Sequence, residues 1–260
     1  MQLRQRTILI TGGTSGIGFE LARQLLARGN TVIITSRDAA RLAQAQQRLP
    51  GLHGFVSDVA DPASIAALCA SVTARFPTLD VLVNNAGIMR KLVLNEARRL
   101  EDVTRELDVN VRGPMQMVQQ FLPHLSAQPA SAIVNVSSGL AFVPLAISPI
   151  YSAAKSALHA YTRALRMQLS GGTVSVFEIA PPGVETPLLR GEFEAEMQGT
   201  KGMPVAQLAR RAIEGIERGQ PEIRPGLANV LMLMSRLAPE FMFRQMARMM
   251  KPKAAAPASA

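Results

Sequence analysis

Between residues 7 and 179, short apolar runs alternate with longer segments that repeat Leu, Ala and Val at helical spacing. This alternation predicts strands joined through crossover helices into a parallel sheet. The apolar runs lack polar alternation, as expected of strands buried on both faces. The predicted strands are residues 7–11, 31–35, 54–57, 81–84, 132–136 and 174–179, and the predicted helices are residues 17–28, 39–49, 62–76, 100–122 and 150–169.

The length of the chain fits one large domain. Its 260 residues, 48% of them hydrophobic and 18% charged, supply enough apolar side chains for a sizeable core. We therefore expect a single α/β domain with a doubly wound parallel sheet over residues 1–226. A stretch rich in Met and Leu predicts an amphipathic helical extension at residues 227–250. The low-complexity residues 251–260 are predicted to be a disordered tail.

Composition excludes several classes of protein. The first apolar run is too short for a signal-peptide core or a membrane span, so we expect a cytoplasmic protein. The single cysteine, Cys69, excludes an intrachain disulfide, and neither cysteine nor histidine spacing predicts a metal site. The net charge of +9 is concentrated at the end, where six basic residues from Arg224 onward accompany one acid. Because no pattern of interleaved aromatic and basic residues accompanies them, we expect no nucleic-acid partner.

A glycine-rich turn follows the first predicted strand. The residues T-G-G-T-S-G-I-G place Gly12, Gly16 and Gly18 between that strand and a helical pattern. Glycine permits a sharp turn, and the free amides of a helix N-terminus attract a pyrophosphate. The turn therefore predicts a dinucleotide site, with a ligand-free strand-to-helix turn as the alternative interpretation.

The end of the second predicted strand bears on which dinucleotide binds. An NAD site commonly has an acid there that binds the ribose 2′-hydroxyl, whereas this chain has Ser36 and Arg37. A guanidinium can bind a 2′-phosphate through two charge-assisted hydrogen bonds, and a carboxylate would repel it. We therefore predict NADP(H) as the preferred cofactor and NAD(H) as the alternative. A solvated Arg37 neutralised by Asp38 is the competing interpretation of this residue.

Three side chains suggest acid–base chemistry. Tyr151 and Lys155 are four residues apart in a helical segment and therefore share one helix face. The phenol of tyrosine has a pKa of about 10, and an adjacent ammonium favours the phenolate. Ser138 follows a predicted strand and so lies at the same sheet edge. A tyrosine and a lysine at this spacing also occur on ordinary amphipathic helices, so the pair alone is a weak signal.

The motifs together resemble those of the short-chain dehydrogenase/reductase family, whose fold is a Rossmann-type doubly wound sheet. The chain is also similar to poorly characterised bacterial oxidoreductases of that family, including one associated with D-alanine transfer operons. The resemblance covers about residues 5–190. It includes T-G-x-x-x-G-x-G, Asp58, N-N-A-G at residues 84–87, Asn110, Ser138, Y-x-x-x-K, and Pro182-Gly183 with Thr186.

The resemblance implies a catalytic tetrad. Tyr151 would exchange a proton with the substrate oxygen, and Ser138 would hold that oxygen. Lys155 would tune Tyr151 and bind the nicotinamide ribose, while Asn110 would support a water relay. The family's spacing selects Ser138 over its neighbour Ser137. The implied cofactor contacts are Gly12, Thr14, Ser15, Gly16, Ile17, Gly18, Ser36, Arg37, Asp58, Val59, Asn85, Ala86, Gly87, Tyr151, Lys155, Pro181, Gly183, Val184 and Thr186.

The expected reaction is hydride transfer between nicotinamide and a carbonyl or alcohol carbon of a small substrate. The alternative is a non-catalytic protein on the same fold that senses NADP(H) or binds a membrane surface. Residues 187–203, which are charged and contain three glycines, predict a mobile lid. Phe142, Val143, Leu145 and Ile147 suggest an apolar substrate portion, with ordinary packing as the alternative.

The resemblance also bears on partners. The family usually forms dimers or tetramers through the helices that hold Asn110 and Tyr151, so we expect a homo-oligomer. The extension at residues 227–250 has three interpretations. It is a helix packed on the domain or on a partner subunit, a helix on a membrane surface, or part of an apolar substrate pocket.

Overall fold

In the computed structural model, which describes residues 1–196, 199 and 201–249, seven strands form one parallel sheet. The strands are β1 Thr7–Thr11, β2 Thr31–Ser36, β3 His53–Val56, β4 Leu79–Asn84, β5 Ser131–Val136, β6 Val174–Ile179 and β7 Glu222–Ile223. Their order across the sheet is β3-β2-β1-β4-β5-β6-β7. The chain therefore winds outward from β1 in one direction and from β4 in the other, and the predicted Rossmann-type sheet is confirmed.

Helices lie between these strands and after β7. They are α1 Gly16–Leu26, α2 Ala39–Arg48, α3 Pro62–Arg75, α4 Leu100–Leu107, α5 Gly113–Ser126, α6 Pro149–Gln168, α7 Pro187–Arg190, α8 Val205–Glu217, α9 Leu227–Leu237 and α10 Pro239–Met249. The single helix predicted at residues 100–122 is divided, because a π-helical turn at Asp108–Arg112 separates α4 from α5. The sequence prediction also lacks α7, α8 and β7. A strand of two residues such as β7 is too short to show any periodicity.

The core has a layer on each face of the sheet, as strands without polar alternation require. On one face, α1, α2 and α8 pack on the strands through side chains such as Leu21 and Ile213. On the other face, α3, α5 and α6 pack through side chains such as Val72, Phe121 and Leu165. Both layers leave the carboxyl ends of the strands open to loops.

The C-terminal extension consists of two helices, α9 and α10, because the chain turns between Ala238 and Pro239. Its inner face packs on the domain, where Leu231 and Met246 join a third apolar cluster with Val143 and Leu145. Large apolar side chains remain exposed on the outer face: Leu227, Val230, Leu233, Leu237, Phe241 and Phe243.

Two further expectations concern membrane spans and the C-terminal tail. Within the described residues, no helix combines the length and the apolar character that crossing a membrane demands. The predicted tail at residues 251–260 lies outside the described part of the chain.

Candidate active site

The candidate site lies at the carboxyl edge of the sheet, where the strand order reverses between β1 and β4. Open α/β sheets bind ligands at such a switch point. The glycine turn follows β1, the N-N-A-G motif follows β4, Ser138 follows β5 and residues 181–186 follow β6. The fold therefore brings the motifs that the sequence singled out to one edge.

The loops after β1 and β4 touch each other. Gly12 has a φ of +65°, and a Cβ there would lie 2.9 Å from Ala86 Cα. A Cβ on Gly18 would lie 2.5 Å from the Gly12 carbonyl oxygen, so neither position accepts a side chain without movement. Asn85 fastens the two loops, since its Nδ2 donates to the carbonyl oxygens of Thr11 at 2.9 Å and Gly12 at 3.1 Å.

The N-terminus of α1 is open to an anion. Ser15 has an extended backbone, its side chain makes no capping bond, and the first turn of α1 contains no acidic residue. Thr186 lies across the turn, with its Cγ2 3.4 Å from where a Cβ on Gly16 would lie. Thr14 and Ile17 are half-buried beside these glycines. The pyrophosphate of a dinucleotide would fit here. The uncapped amides and the positive end of the helix dipole attract its negative charge, and the glycines leave room for it.

The predicted 2′-phosphate residue lies at the exposed end of β2. Arg37 Nη1 is 3.8 Å from Asp58 Oδ2, and the two side chains are 53% and 36% exposed. Asp38 does not neutralise Arg37 in this structure, because its carboxylate caps α2. Ser36 Oγ accepts a hydrogen bond from the Asp38 amide at 3.2 Å, and Val59 is buried. Arg37 therefore remains accessible to an anionic ligand beside the predicted adenine contact.

Tyr151 and Ser138 form the centre of the predicted tetrad. Ser138 Oγ accepts a hydrogen bond from the Leu140 amide at 3.1 Å. Burial raises the pKa of Tyr151 to about 12, a hydrogen bond with Ser138 lowers it, and the negative charge of Glu106 raises it. Burial has the largest effect on this pKa, so the phenol is protonated at neutral pH in the cofactor-free site.

Lys155 is buried one helical turn after Tyr151. Its Nζ donates a hydrogen bond to the Val136 carbonyl oxygen at 2.8 Å and lies 5.5 Å from the centre of the Tyr151 ring. Burial lowers the pKa of Lys155 to about 8, and the charge of Glu178 opposes that effect. The ammonium thus contacts the end of β5 directly.

Asn110 is completely buried in the π-helical turn. Its Oδ1 accepts a hydrogen bond from the Ile88 amide at 3.2 Å, and its Nδ2 donates to the Ile88 carbonyl oxygen at 2.8 Å. The side chain therefore clamps the loop that follows Gly87, a structural role that the sequence did not reveal. The role of Asn110 in a water relay stays a prediction.

The segment after β6 lies beside the predicted catalytic serine. The Pro181 carbonyl oxygen accepts a hydrogen bond from the Gly139 amide at 2.7 Å. Thr186 is the N-cap residue of α7, and its hydroxyl donates to the Val184 carbonyl oxygen at 3.2 Å. These bonds place Thr186 between the glycine turn and the chain around Ser138, where the resemblance puts a nicotinamide contact.

Residues 197, 198 and 200 of the predicted lid at residues 187–203 lie outside the described part of the chain, and the described lid residues are bonded to the domain at two places. At its root, the Met203 amide donates to the Gly183 carbonyl oxygen at 2.8 Å. On its far side, the Lys91 amide donates to Glu192 Oε2 at 2.7 Å, and the Lys91 ammonium pairs with Glu196. The lid therefore contacts the loop that Asn110 clamps.

Comparison with known proteins identifies the chain. The family described as short chain dehydrogenase matches residues 6–197. This chain belongs to the short chain dehydrogenase family. It is an oxidoreductase of that family, and the resemblance inferred from the motifs is confirmed.

Relatives and solved structures agree with this assignment. This short chain dehydrogenase is 42% identical over 224 residues to the uncharacterized oxidoreductase DltE of Bacillus subtilis (strain 168), covering 86% of this chain and 89% of that protein. It superposes on a short chain dehydrogenase from Burkholderia cenocepacia J2315 in complex with NADP with a TM-score of 0.80 and 26% identity, covering 97% of this chain and 100% of that one. It also superposes on a 3-ketoacyl-(acyl-carrier-protein) reductase from Brucella melitensis complexed with NADH, with a TM-score of 0.75 and 28% identity, covering 82% of this chain and 91% of that one.

Behind the tetrad, this short chain dehydrogenase has a buried hydrogen-bonded cluster that the sequence interpretation missed. Glu178 is 0% exposed and accepts hydrogen bonds from Ser137 Oγ and from His159 Nδ1. Ser137 is thereby turned toward Glu178, which leaves Ser138 facing Tyr151. A carboxylate between Phe177 and Ile179 in the strand V-S-V-F-E-I was the available signal, because a buried charge needs partners.

The apolar residues between Ser138 and Tyr151 have more than one role. Val143 and Leu145 are buried in the cluster beneath α9 and α10, so packing accounts for them. Phe142 is half-buried and meets the His159 ring edge-on, with ring centres 5.1 Å apart. Ile147 packs against the same cluster.

Proposed function

We propose that this short chain dehydrogenase transfers a hydride between NADP(H) and the carbonyl or alcohol carbon of a small, partly apolar substrate. One observation carries the proposal. The buried Tyr151 hydroxyl and Ser138 interact at the sheet edge where the open N-terminus of α1 also lies. An acid–base pair and a pyrophosphate cradle at one edge are the two parts that such a reaction needs.

When bound, the nicotinamide supplies or accepts the hydride. As a carbonyl is reduced, its oxygen gains negative charge, and hydroxyl donors placed at that oxygen stabilise the transition state more than the substrate. Tyr151, with a pKa raised to about 12, is protonated at neutral pH and can give its proton to that oxygen. Ser138 donates the second hydrogen bond.

Lys155 then stabilises the phenolate that remains on Tyr151. Its pKa of about 8 keeps the ammonium charged at neutral pH. The positive charge lies 5.5 Å from the ring centre, close enough to favour the anionic form in a buried site. The alcohol-oxidising direction would use the same groups in reverse.

The preference for NADP(H) rests on the end of β2. Arg37 is accessible, and no acid occupies the position of Ser36 that would repel a 2′-phosphate. Asp58, whose Oδ2 lies 3.8 Å from Arg37 Nη1, would help to hold the guanidinium at the end of β2. One related structure contains NADP and another NADH, so the preference depends on these residues of this chain.

The test is a titration of the purified protein with NADPH and NADH at fixed salt, followed by nicotinamide fluorescence. We expect tighter binding of NADPH, followed by NADPH oxidation in a screen of apolar aldehydes and ketones. Binding without turnover of any carbonyl would favour a sensor of the NADP(H) pool. Binding of neither nucleotide would contradict the proposal.

We also propose a symmetric dimer or tetramer as the working form. Large apolar side chains lie exposed on α4 and α6, with Leu100 81% and Met167 78% exposed, and these are helices of the region through which the family commonly assembles. Light scattering coupled to size-exclusion chromatography measures the mass directly. A monomer at micromolar concentration would contradict this part of the proposal.

A further inference from the structure

Glu178 is a charged side chain in a place where charge is costly. It belongs to β6, between apolar neighbours, and has no exposed surface. A carboxylate buried in this way is retained only when hydrogen bonds and opposite charge compensate for its lost hydration. The hydrogen bonds come from two other parts of the fold: Ser137, which directly follows β5, and His159 Nδ1 on α6 at 2.8 and 3.0 Å.

Both partners adjoin the tetrad. Ser137 precedes Ser138 in the chain, so the bond to Glu178 fixes the backbone from which Ser138 extends. His159 follows Lys155 by one helical turn and therefore shares its face of α6. The Val136 carbonyl oxygen, one residue before Ser137, accepts the hydrogen bond from the Lys155 ammonium at 2.8 Å.

Of the two carboxylates in this cluster, Glu178 is the one that acts on Lys155. Its negative charge favours the charged form of Lys155, which burial disfavours. Glu222 lies beside it on β7, but Glu222 has its own cations, with Arg166 Nη1 at 3.7 Å and Arg224 in contact.

On the other side of the site, the charge of Glu106 acts on Tyr151 and opposes phenolate formation. Among the described residues, Glu178 is therefore the carboxylate whose charge supports Lys155.

We propose that Glu178 is a positioning residue of this enzyme: its carboxylate is the counter-charge of the Lys155 ammonium, and Ser137 and His159 hold it there. The inference rests on the proposed function for its catalytic consequence. The charge state of Lys155, which the inference concerns, does not depend on the substrate. Glu178 acts through Lys155 and touches neither substrate nor cofactor in this account.

Lysine titration observed by NMR tests this directly. The chain contains five lysines, Lys91, Lys155, Lys201, Lys251 and Lys253, so protein labelled with [ε-13C]lysine gives few signals, and Lys155→Met assigns the one of interest. Wild-type protein should show a Lys155 midpoint near 8. In Glu178→Gln, which keeps the size of the side chain and removes its charge, the midpoint should fall by about one pH unit or more.

Glu222→Gln is the matched control, because it removes a neighbouring carboxylate that arginines already neutralise. We expect its Lys155 midpoint to equal that of wild type. An unchanged midpoint in Glu178→Gln, or an equal fall in Glu222→Gln, would overturn the proposal. If Glu178→Gln does not fold, a wild-type Lys155 midpoint below about 7 would still overturn the proposal, because it would mean that Glu178 fails to keep the ammonium charged.

Kinetics separate this inference from the proposed function. With a carbonyl substrate in hand, the loss of kcat at alkaline pH should begin about one pH unit lower in Glu178→Gln than in wild type, with NADPH affinity retained. A uniform loss at all pH values would indicate a merely structural residue and overturn the inference. If no carbonyl is turned over, the proposed function fails, whereas the lysine titration still gives its answer.

Discussion

Burial of Lys155 should make the protein less stable at neutral pH than at alkaline pH. The ordinary pKa of 10.5 falls to about 8 in the folded protein, so between these values the unfolded chain binds more protons than the folded one. The free energy of unfolding therefore rises with pH through this window. Below it, the drop of 10.5 − 8 = 2.5 units corresponds to a penalty of about 3 kcal/mol.

The variant Lys155→Met isolates this effect, because methionine is of similar length and cannot titrate. Urea unfolding of both proteins at pH 7 and pH 9.5 gives the difference in free energy of unfolding between variant and wild type at each pH. Groups that titrate alike in both proteins cancel in this difference. About 2 kcal/mol of the penalty should be relieved at pH 9.5. The amount by which the free energy of unfolding of Lys155→Met exceeds that of wild type should therefore be about 2 kcal/mol smaller at pH 9.5 than at pH 7. A difference that stays constant would refute the conclusion that burial depresses the pKa of Lys155.

Three other substitutions test the site. Tyr151→Phe should lower kcat by at least about 100-fold and leave NADPH affinity unchanged, because only the proton donor is lost; steady-state rates near wild type would contradict its role. Arg37→Ala should weaken NADPH binding by about tenfold and NADH binding far less, as measured by fluorescence titration, and equal weakening of both would exclude a 2′-phosphate contact. Gly18→Ala should lower the free energy of unfolding by about 1–3 kcal/mol, since its Cβ would lie 2.5 Å from both the Gly12 carbonyl oxygen and Asn85 Nδ2; an unchanged melting temperature would show that these loops can separate at little cost.

Much of the site could be predicted because local patterns encode it. Strands without polar alternation specify burial on both faces, and the residues at their carboxyl ends then meet at one edge of the sheet. Tyr151 and Lys155 needed only the helical period to share a face. The same reasoning placed the glycine turn and the N-N-A-G loop at one edge of the sheet, and in the structure a Cβ on Gly12 would lie 2.9 Å from Ala86 Cα.

Contacts between distant parts of the chain were not predictable in this way. Asn110 clamps Ile88 across 22 residues of sequence, and Arg37 pairs with Asp58 where the sequence suggested Asp38. The π-helical turn that divides residues 100–122 was also not predictable. One extra residue in a single turn leaves the apolar spacing on each side of it unchanged, so the hydrophobic pattern does not reveal it.

The sequence by itself determined the doubly wound sheet, and it placed the glycine turn, Ser138 and the Tyr151–Lys155 pair at one edge of that sheet. Those features follow from the period of apolar residues, from glycine's lack of a Cβ and from spacing within one helix, whereas the tetrad that includes Asn110 was predicted from the family resemblance. Tertiary structure alone decided what surrounds the tetrad: Ser137 meets Glu178 across 41 residues, and His159 meets it across 19. Such partners are set by how β5, β6 and α6 pack, and the charge of Lys155 depends on burial and on Glu178, which no local pattern of residues encodes.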